Sequence, residues 1–139
     1  MDNDKFVSYG MLAGIAVLVV VIVVLLLNKL KPEEDVTRSI KLDESKLSYN
    51  NTQYVLYASQ MYTAMVGAGT DTDTIMRVLG ALITTEDWNA LVKAFGTRSV
   101  KKWFGYTFSG TLIDWLTDEL SGKELKKVNE VLAKIGVTI

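Results

Sequence analysis

The sequence has no cysteine, no histidine and a single proline, Pro32, in 139 residues. Without cysteine there is no disulfide framework, thiolate nucleophile or cysteine metal site, and the redox compartment leaves no trace. Without histidine the commonest general base and the usual zinc ligand are missing together. Charge of one sign is also lacking: 15 basic residues stand against 16 acidic ones. The balance is local as well as global, with nine of each in 47–139 and five of each in 29–46. No basic face is left that would make nucleic acid the main partner.

What the chain does have is a long uncharged run, Phe6 to Asn28, with Val17 to Leu27 β-branched and leucine-rich throughout. Its 23 residues make roughly 34 Å of helix, enough to cross a hydrocarbon core of about 30 Å. In lipid each backbone polar group must be paired within the segment, which demands a helix even from valine. A cleaved secretory signal fits less well: Asp2 and Asp4 precede the run, and Asn28-Lys29-Leu30-Lys31 ends it with no small-residue cleavage pattern. Lys29, Lys31, Arg38 and Lys41 follow the run while only Lys5 precedes it. The positive-inside rule therefore puts the C-terminal part on the cytoplasmic or equivalent inner face. Gly10 and Gly14, four apart in the run, form a small-residue pair through which two spans can approach and self-associate.

The expected organisation is a tail over 1–5, a transmembrane helix over 6–28, a charged tether over 29–46 and a helical domain over 47–139. Pro32 ends the span, and a short extended piece is expected within the tether at Val36–Leu42. Beyond Leu47 the apolar spacing is helical. Tyr54, Tyr57, Ala58, Met61 and Met65 form one stripe; Ile75, Val78, Leu79 and Leu82 form a second, with Thr70 and Asp73 resembling a capping box. A third helix covers Glu86–Phe95 with Thr85 as cap, and Gly96 stops it. A fourth spans Thr111–Leu120, and Ser121 with Glu124 caps a fifth that closes at Gly136. The fold class read from this pattern is all-α: one N-terminal transmembrane helix plus a compact five-helix bundle.

Two stretches carry a resemblance. Met65-Val66-Gly67-Ala68-Gly69-Thr70-Asp71 resembles the annexin loop between the first two helices of a repeat, and Leu116-Thr117-Asp118-Glu119-Leu120-Ser121-Gly122-Lys123 resembles the annexin segment joining the last two. With five helices in this order, the domain is similar to a single annexin repeat, though the interval between the motifs is longer by a stretch within 96–110. The resemblance implies calcium binding, with carbonyls from Met65, Gly67 and Gly69 and the carboxylate of Glu119 as ligands. Calcium takes six to eight hard oxygens in a flexible shell, which glycine carbonyls and a carboxylate suit. Read from the residues alone, Gly67 and Gly69 equally make a chain-reversing turn, with Thr70 capping the next helix.

The segment 98–108 is the irregular part, with Arg98, Lys101 and Lys102 followed by Trp103, Phe104, Tyr106 and Phe108. Three readings stand: its aromatics fill the core, they anchor a protein partner together with Arg98, Lys101, Lys102, Trp103 and Tyr106, or they dip into lipid headgroups. Asp71 with Glu119 offers two carboxylates for glycoside hydrolysis, but no groove or sugar platform accompanies them and no enzyme is expected. The build is similar to that of small proteins of bacteria and of membrane-containing bacterial viruses. It implies a non-enzymatic structural or adaptor protein joining a bilayer to a protein assembly, such as a virion membrane protein beneath its shell. The alternative is a calcium-responsive module for lipid or peptide.

Overall fold

Each helical stripe found in the sequence becomes a buried face. The structure is a computed structural model that describes residues 35–139, and these form one unit, Asp35–Ile139. Five α-helices are described: α1 (Asn51–Met65), α2 (Thr72–Ala81), α3 (Thr85–Phe95), α4 (Leu112–Glu119) and α5 (Gly122–Leu132). α1 packs on both α2 and α3, α5 covers α2, and α4 touches α1 and α3. The core they enclose includes Ala58, Met61 and Met65, Ile75, Val78 and Leu79, Leu91 and Phe95, Trp115 and Leu116, and Val128 and Leu132. One large apolar residue of α4, Ile113, faces outward and is exposed.

The helix ends follow local chemistry. Asn50 caps α1 by accepting from the Gln53 N–H at 2.9 Å, and Ser121 and Glu124 form the expected capping box on α5. Two caps differ from expectation. Asp71, not Thr70, caps α2 by accepting from the Thr74 N–H at 3.0 Å. Thr84, not Thr85, caps α3, because Asp87 three residues on completes its box. Gly136 takes the left-handed conformation expected after the last helix.

The all-α expectation is overturned between α3 and α4. Strands β1 (Arg98–Lys101) and β2 (Thr107–Gly110) pair antiparallel, with Val100 opposite Phe108. The Lys102 N–H donates to the Tyr106 carbonyl at 2.9 Å, and Gly105 in the turn has φ +79. Strands of four residues are too short to show alternation in a sequence, and an isolated ribbon of this size is marginal in water. Here tertiary packing supplies the stability: Phe108 meets the ring of buried Trp115 at 5.1 Å, and the Trp115 Nε1–H donates to the Arg98 carbonyl at 3.2 Å.

Of the piece expected to be extended, Val36–Leu42, the first four residues are not, whereas Ile40 is. Val36–Ser39 is a 3₁₀ turn capped by Asp35, whose carboxylate accepts from the Thr37 N–H at 3.1 Å. Residues 35–46 lie along α3 as a strap. Thr37 is buried, Lys93 Nζ donates to the Ile40 carbonyl at 2.8 Å, and the Asp43 N–H donates to Glu86 at 2.7 Å. No described helix is long and apolar enough to cross a membrane. The run expected to do so, 6–28 with Gly10 and Gly14, lies outside the described residues.

Candidate functional site

The two motifs singled out in the sequence meet across one depression. Its volume is about 560 Å³, with the loop of Met65, Val66, Gly67 and Ala68 on one side. Val100, Lys101, Lys102, Trp103 and Tyr106 of the hairpin stand on the other, and Trp115 and Glu119 complete it. This is a mainly apolar concavity of the size that takes a small ligand or a protein side chain. The loop reverses the chain as its glycines require, with φ +112 at Gly67 and +88 at Gly69. The Asp71 N–H closes it by donating to the Ala64 carbonyl at 2.9 Å.

The charges at this site are spoken for by the chain itself. Lys102 Nζ is hydrogen-bonded to Asp118 and, at 2.9 Å, to Glu119 Oε1. The other Glu119 oxygen accepts from the Thr70 hydroxyl at 3.3 Å. The Lys102 ammonium also lies 4.7 Å from the centre of the Phe108 ring. Its hydrogen bond to Asp118, with Glu119 adding to it against a smaller cost of burial, holds its pKa well above the usual lysine range. Lys102 thus fastens the hairpin to the end of α4.

That arrangement bears on the calcium set. Met65, Gly67 and Glu119 line the same depression, whereas Gly69 does not. Of these ligands only Glu119 is a carboxylate, and one of its oxygens is taken by the Lys102 ammonium that it shares with Asp118. No cluster of three or more acidic side chains that could hold a metal ion occurs among the described residues. As they stand, these residues fit Lys102 and do not fit calcium. Millimolar calcium is expected to leave the melting temperature of the protein unchanged; a rise of several degrees, abolished by Glu119→Gln, would show that the ion displaces Lys102.

The five residues expected to form a partner surface divide in two. Arg98 faces inward, its guanidinium 4.9 Å from the ring centres of both Tyr62 and Phe95 and its Nε–H donating to the Phe95 carbonyl at 3.0 Å. Lys102 is held in the ion pair. Lys101, Trp103 and Tyr106 remain at the surface, with Trp103 87% exposed and Tyr106 57% exposed. Core filling therefore holds for Phe108, half-buried against Trp115, and not for Trp103 or Tyr106.

One polar centre escaped the sequence reading. Asp87 is fully buried, and its carboxylate accepts from Tyr54 Oη–H at 2.6 Å, Ser48 N–H at 2.8 Å, Ile83 N–H at 2.8 Å and Thr84 N–H at 3.0 Å. Burial by itself raises its pKa, but the hydrogen bonds from Tyr54, Ser48 and Ile83 outweigh this and hold it at about 2. Burial, with the Asp87 carboxylate beside it, pushes the Tyr54 phenol up to about 12. The spacing Thr84-x-x-Asp87 carried the signal, as a capping box with Asp in the third position. Asp87 ties the entry of α1 to the entry of α3. No family model matches the chain, and no curated protein or solved structure matches it either.

Proposed function

We propose that this chain is a non-enzymatic, membrane-anchored structural or adaptor protein. Residues 6–28 hold it in a bilayer, and the unit 35–139 couples that bilayer to a protein assembly on the inner face. A protein shell built over a membrane, as in a membrane-containing virus, is the kind of assembly such a part suits.

The observation that carries this reading is the strap. Of the residues 29–46 that could have formed a loose tether, 35–46 are fastened to α3 by Lys93, Glu86 and the buried Thr37. The Lys46 carbonyl accepts from the Thr84 hydroxyl at 3.0 Å, which secures the far end. Only 29–34 separate the apolar run from the domain. A long flexible linker lets a catalytic or ligand-seeking domain roam, whereas a short one suits a part whose task is to hold a position.

The test is the native mass and composition of the full-length protein extracted from its source membrane in mild detergent. Recovery within a larger assembly at fixed stoichiometry is expected. Recovery alone, or as a small homo-oligomer, would remove the structural role.

A further inference from the structure

We propose that the tip of the β1–β2 hairpin is a second membrane contact, with Trp103 and Tyr106 at headgroup level and Lys101 toward the lipid phosphates. The inference rests on the reading of 6–28 as the membrane segment and adds a second point of attachment to it.

The chemistry of the tip fits an interface better than water. Trp103 and Tyr106 are exposed on either side of the turn at Gly105. Both side chains join an apolar ring to a polar handle, which is why tryptophan and tyrosine collect at bilayer surfaces. Lys101, exposed beside them, takes no part in the ion pair that neutralises Lys102. A lysine next to interfacial aromatics can extend its charge to phosphate while its stem lies along apolar groups. The arm itself is held firmly at its inner face, by Phe108 on Trp115 and by Lys102 on Asp118 and Glu119. Little ordering is therefore left to oppose insertion of the tip.

The position of the arm supplies the occupant. The described chain begins at the arm's root, where the Thr97 hydroxyl donates to Asp35 Oδ1 at 3.3 Å. Asp35 is so close there that a Cβ on Gly96 would come within 2.9 Å of its Oδ2. The apolar run ends at Asn28, and the stretch from there to Asp35 spans at most about 25 Å when fully extended. The strands of the arm add only about 13 Å. The aromatic tip thus stands on an arm rooted beside Asp35, and chain and arm together span at most about 38 Å between the end of the apolar run and the tip.

The chain has three tryptophans, and Trp88 and Trp115 are buried, so collisional quenching reports on Trp103. Full-length protein is reconstituted into phosphatidylcholine vesicles, with and without acyl chains brominated near the headgroup, and its tryptophan emission is measured. Bromolipid is expected to quench the wild type strongly and aqueous iodide to quench it weakly, with Trp103→Phe losing most of the bromolipid quenching. Strong iodide quenching without bromolipid quenching would overturn the proposal. So would shielding of Trp103 that appears only when a co-purified protein is retained, since the tip would then belong to a protein partner. Extraction of the vesicles with alkaline carbonate is read separately. Release of the protein would refute the anchored reading itself, while retention without bromolipid quenching refutes the second contact alone.

Discussion

Replacing Asp87 with alanine is expected to lower the unfolding free energy of the 35–139 unit by about 3–5 kcal/mol. The aspartate is fully buried, and its removal strands the Tyr54 hydroxyl and the N–H groups of Ser48, Ile83 and Thr84 together. Asp87→Asn restores only one acceptor oxygen and turns an amide N–H₂ toward groups that are donors themselves, so it is expected to rescue little. Tyr54→Phe, which removes one donor and keeps the ring, is expected to cost only about 1 kcal/mol. Urea denaturation followed by circular dichroism measures all three. A loss below about 1 kcal/mol for the alanine variant would mean that water satisfies the stranded donors.

The same carboxylate makes the fold acid-sensitive in a defined window. Its pKa is depressed in the native state, to about 2 from an ordinary 3.8, so the unfolded chain binds the proton more readily than the folded one. The stabilisation is complete above pH about 4 and is lost as the pH falls toward about 2, a change of roughly 2 kcal/mol. Asp87→Asn is expected to flatten this part of the stability profile.

Trp115→Ala is the second large effect, expected to cost about 3–5 kcal/mol, a large part of the stability of a domain this small. Trp115 is fully buried and receives the edges or faces of Tyr62 at 5.3 Å, Phe95 at 6.4 Å and Phe108 at 5.1 Å. Its indole N–H also holds the first residue of β1. Beyond the global loss, amide exchange should accelerate most over 98–110, because the ribbon loses its platform while the helices keep other contacts. Trp115→Phe keeps one aromatic ring but leaves a cavity and deletes the bond to the Arg98 carbonyl, at about 2 kcal/mol in all. Uniform acceleration across the domain would show that the ribbon does not depend on this ring.

The helices were legible because an inward face repeats every three to four residues over two or more turns, which no other element imitates. Ser121 and Glu124 fixed one helix start in the same way. Thr84 was missed in favour of its neighbour because both are threonines, and only the buried Asp87 distinguishes them. The ribbon was illegible for the opposite reason. Arg98-Ser99-Val100-Lys101 has no apolar alternation of its own, and the ribbon's inward residues are identified by what they meet, Arg98 by the rings of Tyr62 and Phe95 and Phe108 by that of Trp115. The charged segment 35–46 looked like a tether because its partners, Glu86, Lys93 and Thr97, lie far along the chain.

The depression shows the same division. Its two walls were each noticed in the sequence, the glycine loop through a resemblance to annexins and the basic aromatic stretch through its composition. That they face one another, and that Lys102 occupies Glu119, depends on the turn at Gly105 and on the path of α4. The sequence by itself determined the helical stripes, the balanced charge, the absence of thiol and imidazole chemistry and the apolar run, because each is a property of neighbours along the chain. Only the tertiary structure decided that a two-stranded ribbon stands among the helices, that Arg98 and Lys102 turn inward while Trp103 and Tyr106 turn out, and that the tether becomes a strap. Each of those outcomes is set by contacts between residues distant in sequence, whose energies no local pattern records.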